Sequence, residues 1–207
     1  DENHQIDADI AEKNDFAECG KPGTYMDCLV GIPPRHHQKD SLYAKLGGNG
    51  HNPRMKAGFY NQGGIRLSEL PLGDITLETI LSIEPFGNHI VIHELSLADI
   101  KALILNHFNQ GDHMIDLYVS PGNYTIIQDQ QGKGINVIFK DHHGRPLAEK
   151  NTYKVALNNY VSIEYDFPDK GKGLHTDISV VNAMVDFIRT NSPLAPTDKR
   201  TYLSSVK

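Results

Sequence analysis

HIVIHELSLADIKALILNHF, residues 89–108, is the stretch of sequence that decides the fold. Its first part, residues 89–95, alternates and is rich in β-branched residues, which predicts a strand. From residue 96 to 108 the apolar residues recur at helical spacing, behind a pair that resembles a capping box, Ser96 and Asp99. A strand that runs directly into an amphipathic helix is therefore the clearest local signal in the chain.

The same patterns outside this stretch predict a mixture of strands and helices. Further strands are predicted at residues 55–60, 115–119, 124–128, 135–140 and 153–158, and further helices at 41–46, 74–83 and 178–188. Thr176 and Asp177 are candidate caps of the last helix. Residues 141–144 (DHHG) form a plausible hairpin turn, and the tail after Asn191 is expected to lie along the surface. Together these elements predict an α+β domain, with a mixed sheet and flanking helices.

Length and composition are those of an ordinary globular protein. The 207 residues, of which 39% are hydrophobic and 22% charged, are enough for one sizeable core. The net charge of −6 and the scattered Lys and Arg residues disfavour binding to a nucleic-acid duplex. No run of 18 apolar residues could span a membrane. Residues 1–15 resemble neither a signal peptide nor a transit peptide, although a mature form whose leader was removed would look the same.

The two cysteines, Cys19 and Cys28, lie close together in a stretch that contains glycine and proline. Without further cysteines nearby, they are too few for a zinc site. A local disulfide and a pair of free thiols remain equally open.

The 11 histidines raise the question of a metal site. The pairs His36/His37 and His142/His143 are better explained as solvated loop residues, because adjacent side chains diverge and metal ligands must converge. The string Gly87–Asn88–His89 imitates part of a metallophosphatase metal site, but the other Asp and His motifs of such a site are missing. No GxSxG nucleophile motif or phosphate-binding glycine loop occurs either, so we expect no catalytic residues and no metal ligands in this chain.

Two short segments are instead typical of a binding site. In NQGGIR (residues 61–66) two glycines separate a predicted strand from Arg66, whose planar guanidinium could hold a phosphate, or could form a salt bridge at a β-turn. In EPFGN (residues 84–88) Phe86 lies between a proline and a glycine, and could stack on a base or belong to the core.

The order of four segments is more informative than any one of them. NQGGIR, GDIT (73–76), IEPFGN (83–88) and YKVALNNY (153–160) resemble, in sequence order, the C-terminal domain of the 5'-nucleotidase and UDP-sugar hydrolase family. The resemblance runs from about residue 30 to 203 and includes the closing SPLAP (192–196). We therefore expect residues 28–207 to form one such domain, preceded by an extension of unknown role at residues 1–27.

This resemblance implies six substrate-binding residues: Arg66, Phe86, Asn88, Tyr160, Arg35 and Asp166. In the family, the arginine of the GGIR motif contacts the substrate, and the phenylalanine and asparagine of PFGN pack on and hydrogen-bond the base. Tyr160 is similar to the second aromatic of the base clamp, Arg35 to a second substrate arginine, and Asp166 to the carboxylate that meets the ribose.

One loop departs from the family pattern. Relatives follow the second aromatic with a GGDGY-like loop, whereas this chain has IEYDF at residues 163–167 and lacks the adjacent pair of glycines. We expect the bulky side chains to narrow the pocket.

The resemblance implies a nucleotide-recognition domain that works with a dimetal phosphatase domain, which is either part of the same polypeptide or a separate subunit. It also implies a periplasmic or extracellular location, a nucleotide or nucleoside ligand, no cofactor in this chain, and divalent metals only in the catalytic domain. Two alternatives are a relative that keeps the fold but serves as a docking or structural module, and a free-standing metal hydrolase built from the histidines.

Overall fold

The computed structural model describes residues 56–67, 73–120, 122–141, 144–194 and 203–206. The strands in this part of the chain are β1 (Lys56–Asn61), β2 (His89–Ser96), β3 (Leu117–Ser120), β4 (Asn123–Gln128), β5 (Gly134–Lys140), β6 (Thr152–Asn158), β7 (Leu174–Ser179) and β8 (Leu203–Val206). The helices are α1 (Leu77–Ile83), α2 (Leu97–Gln110), α3 (Asn159–Glu164) and α4 (Val180–Asn191), with a 3-10 turn at Gln62–Gly64. The two cysteines, the His36/His37 and His142/His143 pairs and the helix predicted at 41–46 lie outside the described residues.

The strands form two sheets. The five-stranded sheet has the order β3-β1-β6-β2-β7, in which β1 and β6 run parallel and the other neighbours antiparallel. The three-stranded sheet has the order β5-β4-β8, with β4 and β8 parallel. This mixed sheet with flanking helices confirms the predicted α+β class.

The step from β2 to α2 is as predicted. Ser96 Oγ accepts a hydrogen bond from the backbone N–H of Asp99 at 3.1 Å, and the Asp99 carboxylate accepts one from the N–H of Ser96 at 3.0 Å. Two N–H groups at the helix start are thereby satisfied by side chains. The buried stripe of α2 consists of Leu97, Ile100, Leu103, Ile104 and Phe108. Burial of each such side chain stabilises the fold by about 1.5–3 kcal/mol.

The five-stranded sheet is covered on both faces because its strands alternate between two cores. In β1, Phe59 packs with α2 and the three-stranded sheet, whereas Tyr60 packs on the opposite face with α1 and α4. In β3, Val119 packs in the same core as Phe59, and Tyr118 packs in the same core as Tyr60. The period of two along each strand thus produces a three-layer arrangement with the sheet in the middle.

The prediction of a helix at residues 178–188 was partly wrong. The helix begins at Val180 rather than 178, and its N-cap is Ser179, whose Oγ accepts from Asn182 N at 3.1 Å. Residues before it form the edge strand β7, in which the Thr176 hydroxyl donates to the Ile90 carbonyl at 2.8 Å. Thr176 is therefore a cross-strand donor and not a helix cap.

Two further elements differ from the prediction. The short helix α3 was not predicted, although Asn158 is a good capping residue and its side chain accepts from Val161 N at 2.7 Å. The tail does not simply lie along the surface. Leu194 is buried with α1 and α4, and β8 is one of the three strands of the smaller sheet.

A buried histidine holds the segment after α3 against the sheet. His93 of β2 is bonded through Nδ1 to Asp169 Oδ2 at 2.7 Å and through Nε2 to Ser162 Oγ at 2.9 Å. Gly173 lies against this ring, since an added Cβ would come within 2.4 Å of His93 Nε2 and 2.5 Å of Val91 Cγ1. The position therefore has no room for a side chain.

This close approach predicts the effect of Gly173→Ala. Forcing a methyl group into the contact should lower the free energy of unfolding by about 1–3 kcal/mol, measured by urea denaturation. Gly111→Ala is the matched control, because its Cβ would meet its nearest neighbour, the His107 carbonyl oxygen, at 3.4 Å. A Gly173→Ala variant as stable as Gly111→Ala would show that His93 is not held as described.

Candidate functional site

The predicted binding segments meet at one edge of the five-stranded sheet. Because β1 and β6 run parallel and β2 and β3 run antiparallel to their neighbours, the ends of β1 and β6 lie beside the starts of β2 and β3. This edge, called the loop edge below, carries the Gln62–Gly64 turn, the loop before β2, and α3. The topology thus gathers sequence segments that are far apart in the chain.

Two consecutive asparagines tie these loops together. Asn158 is buried, and its Nδ2 donates to Asn61 Oδ1 at 2.9 Å while its Oδ1 caps α3. The Asn159 Oδ1 accepts from the backbone N–H of His89 at 2.7 Å. The end of β1, the start of β2 and the first turn of α3 therefore hold one another in place.

Arg66 and Phe86 are brought into contact at the loop edge. The backbone N–H of Arg66 donates to the Ile83 carbonyl at 3.0 Å, which places the chain after the glycine turn beside the loop that carries Phe86. The guanidinium carbon of Arg66 lies 4.9 Å from the centroid of the Phe86 ring, a cation–π arrangement. Phe86 is 50% exposed, so the alternative that it belongs to the core is wrong.

A buried carboxylate that the sequence reasoning missed shapes the Phe86 loop. Glu84, 1% exposed, accepts through Oε1 from the backbone N–H of Phe86 at 3.2 Å and from the Nδ2 of Asn88 at 2.9 Å. Burial raises the pKa of the Glu84 carboxyl, and the hydrogen bonds from Asn88 and Phe86 oppose that effect only in part. Asn88 is itself buried, and its amide nitrogen is bonded within the loop.

The other predicted residues are dispersed along α3 and the loop after it. Tyr160, on α3, is 50% exposed, and its ring meets that of Tyr165 edge-on at 6.2 Å. Asp166 is exposed, and its backbone carbonyl accepts from Asn106 Nδ2 at 2.9 Å. Arg35 lies outside the described residues.

The bulky residues of the altered loop turn into the core. Tyr165 and Phe167 are both buried. The Tyr165 ring stacks on His107 at 3.8 Å with an interplanar angle of 13°, and Phe167 meets His93 edge-on at 5.3 Å. Their volume is therefore taken up by contacts with α2 and β2.

Asp116, just before β3, is the partner of the Tyr165 hydroxyl. It accepts hydrogen bonds from that hydroxyl and from His107 Nε2, the latter at 3.3 Å. Burial alone would raise the pKa of Asp116, but the hydrogen bonds from His107 and Tyr165 and the attraction of His107 bring that pKa below its ordinary value. Burial and the neighbouring Asp116 carboxylate raise the pKa of the Tyr165 hydroxyl.

Other arrangements that could carry chemistry are few. Ser162, His93 and Asp169 are bonded in the order of a hydrolase triad, but Ser162 is completely buried and its hydroxyl cannot reach a substrate. In the part of the chain that the structure describes, no three His, Cys, Asp or Glu side chains are grouped so as to hold a metal ion. None of the helices in the same part is long and apolar enough to cross a bilayer.

The buried Glu84 carboxyl predicts a pH dependence of stability. Its pKa in the folded protein is above the ordinary 4.5, so the folded protein binds this proton more tightly than the unfolded chain. The corresponding stabilisation is fully present below pH 4.5 and is lost as the pH rises through the folded-state pKa.

Glu84→Gln, which cannot ionise, should remove this dependence. As the pH rises from 4.5 to neutrality, the difference in unfolding free energy should shift in favour of the variant, which urea denaturation at a series of pH values would measure. Asp116 titrates in both proteins and cancels in the difference. Glu78→Gln, at an exposed site on α1, is the control; an equal shift there would contradict the assignment to Glu84.

Comparison with known proteins agrees with this architecture. A family model described as 5'-nucleotidase, C-terminal domain, matches residues 38–166, more than half of the chain. Protein UshA of Yersinia enterocolitica serotype O:8 / biotype 1B is 28% identical over 138 residues, which are 64% of this chain and 24% of that protein. The chain thus spans about a quarter of the length of the curated relatives it matches.

Solved structures share the fold at low identity. The NAD nucleotidase NadN of Haemophilus influenzae superposes with a TM-score of 0.60 at 18% identity, covering 73% of this chain and 30% of that one. A 5'-nucleotidase precursor from Thermus thermophilus gives a TM-score of 0.59 at 20% identity, covering 88% and 34%. With a family model over residues 38–166 and these shared folds, the chain belongs to the family of 5'-nucleotidase C-terminal domains.

Proposed function

We propose that this chain is the nucleotide-recognition domain of a 5'-nucleotidase-type phosphatase, and that it binds the nucleoside part of the substrate at the loop edge. The observation that carries the proposal is the pairing of Arg66 with the half-exposed ring of Phe86. An exposed aromatic ring offers a stacking surface for a base, worth about 1–3 kcal/mol, and the adjacent guanidinium can form paired hydrogen bonds to a phosphate.

The proposed roles follow from the exposed rings and the polar atoms of each side chain. Phe86 and Tyr160, both half-exposed, stack on the base, and Arg66 binds the phosphate. The amide nitrogen of Asn88 is occupied by Glu84, so its Oδ1 is the atom that would accept a hydrogen bond from a base. The exposed carboxylate of Asp166 would accept hydrogen bonds from the ribose hydroxyls, and Arg35 would add a second cation.

Hydrolysis is proposed to be the work of a metallophosphatase domain with its own divalent metals, either in the same polypeptide or in a separate subunit. Two features support this division. The chain corresponds to about a quarter to a third of the relatives described above, two of which are named as nucleotidases. Ser162, which is bonded to His93, is also buried and cannot act as a nucleophile toward a substrate. A periplasmic or extracellular location is part of this proposal.

A second candidate is a docking or structural module that keeps the fold without binding nucleotides. Leu77 and Leu81 on α1 are 41% and 47% exposed, and they precede Phe86 closely in the chain. These exposed apolar side chains could contact a protein partner. Loss of the two family glycines in the loop at 163–167 favours this candidate as well.

Nucleoside titrations separate the two candidates. Adenosine, AMP and UDP-glucose, titrated calorimetrically, should bind with micromolar to millimolar dissociation constants, and Phe86→Ala should weaken binding about five- to a hundredfold because a stacking partner is lost. Leu174→Ala, which truncates an exposed apolar side chain on β7, is the control and should bind like the wild type. If none of the three ligands binds, the proposal of nucleotide recognition is wrong and the docking module is the remaining candidate.

The role of Arg66 makes a separate prediction. Arg66→Gln keeps a planar polar end but removes the charge, so the preference for AMP over adenosine should fall about tenfold. Parallel titrations of the two ligands give the ratio directly. An equal loss for both would place Arg66 at the base rather than at the phosphate.

A further inference from the structure

The loop that departs from the family pattern forms a series of aromatic contacts in this chain. Tyr165 contacts Tyr160 edge-on at 6.2 Å on one side and stacks on His107 at 3.8 Å on the other. Its hydroxyl donates to the Asp116 carboxylate. The half-exposed Tyr160 ring is thus backed by a buried ring that is itself hydrogen-bonded in place.

The same aspartate also holds the glycine turn. The Asp116 carbonyl accepts from the backbone N–H of Gln62 at 2.8 Å, and its carboxylate accepts from the N–H of Gly63. The next residue, Gly64, is tightly enclosed, since an added Cβ would lie 2.6 Å from the Tyr60 ring. This turn leads directly to Arg66, so the position of the turn determines where the Arg66 side chain leaves the backbone.

Backing of this kind matters for binding because a ligand must otherwise order the side chains that it contacts. An exposed aromatic ring without support has several rotamers, and fixing one of them weakens the association. A ring already held from behind requires less ordering. The same reasoning applies to Arg66, because it follows a turn with two glycines. Without hydrogen bonds to hold it, the backbone of this turn could adopt more conformations than the rest of the loop edge.

We propose that Asp116 is a positioning residue for nucleotide binding, which sets Tyr160 through Tyr165 and sets Arg66 through the amides of Gln62 and Gly63. The Tyr160 ring and the Arg66 side chain are then positioned by one residue that does not itself contact the ligand, through its carboxylate at Tyr165 and Gly63 and through its backbone carbonyl at Gln62. This inference rests on the proposed function of the loop edge. It also accounts for the bulky loop: the tyrosine that replaces a glycine supports the site instead of filling it.

Three variants test the proposal in the whole chain. Tyr165→Phe removes only the hydroxyl and keeps the ring. Asp116→Asn keeps the shape of the side chain and weakens its bonds to the Tyr165 hydroxyl and the Gly63 amide, while the backbone bond to Gln62 stays. Tyr153→Phe is the matched control, because its hydroxyl bonds to the Ala148 carbonyl at 2.9 Å near the opposite end of β6. All three should unfold at lower urea concentration than the wild type.

The expected pattern of affinities is specific. Tyr165→Phe should lower the affinities for adenosine and AMP alike by about three- to tenfold, since only the support of the Tyr160 ring is weakened. Asp116→Asn should lower both affinities and also reduce the preference for AMP over adenosine, because the turn that positions Arg66 is held less firmly too. Tyr153→Phe should leave both affinities unchanged. Wild-type affinities in Tyr165→Phe and Asp116→Asn, despite their lower stability, would overturn the proposal.

A measurement without ligand keeps this test apart from the test of function. In NMR spectra of the free protein, the Gly63 amide should shift in Asp116→Asn, and the Tyr160 ring signals should change in both Asp116→Asn and Tyr165→Phe. Tyr153→Phe should alter neither set. Unmoved signals would refute the positioning role whether or not nucleotides bind, whereas moved signals without nucleotide binding would refute only the proposed function.

Discussion

Asn158 stands where the parallel pair β1–β6 ends and α3 begins, and the loop edge depends on its two hydrogen bonds. Its amide nitrogen bonds to Asn61 across the sheet, and its amide oxygen caps the helix that carries Tyr160. An aliphatic side chain of similar size could fill the same volume but could do neither. Because the residue is buried, both bonds form away from competing water, and losing either would leave a polar group unsatisfied in the interior.

Buried polar side chains gather at this edge, while the interior of the two cores is almost entirely apolar. Asn61, Glu84, Asn88 and Asn158 are all buried here; Asn61 and Asn158 are bonded to each other across the sheet, and Glu84 is bonded to Asn88 within its own loop. Such a network adds little net stability, because every bond replaces one to water, but it strongly disfavours other arrangements of the loops. The side chains that do reach solvent therefore project from a backbone with a single well-defined course. This is the condition that a recognition site requires.

The parts of the fold that local rules govern could be predicted from the sequence. Strand β2 and helix α2 follow from alternation, helical spacing and a capping box, all of which operate within four residues. The start of α4 was placed wrongly because Thr176 can cap a helix, yet it bonds to Ile90, 86 residues away, and nothing in its local spacing reveals that. Arg66 and Phe86 were singled out by the order of their motifs. The buried roles of Glu84 and Asp116 were not, since a carboxylate's burial depends on the tertiary packing around it.

The contact between Arg66 and Phe86 means that the free protein already carries an occupant on its own stacking surface. If the proposed function holds, a base that approaches that face of the ring has to displace the guanidinium, so its affinity would be the difference between two stacking energies rather than the full value of one. A ligand that also carries a phosphate offers the displaced arginine a new partner, and a bare nucleoside does not. In the proposed site this exchange would couple recognition of the base to recognition of the phosphate charge, although the two groups touch different side chains.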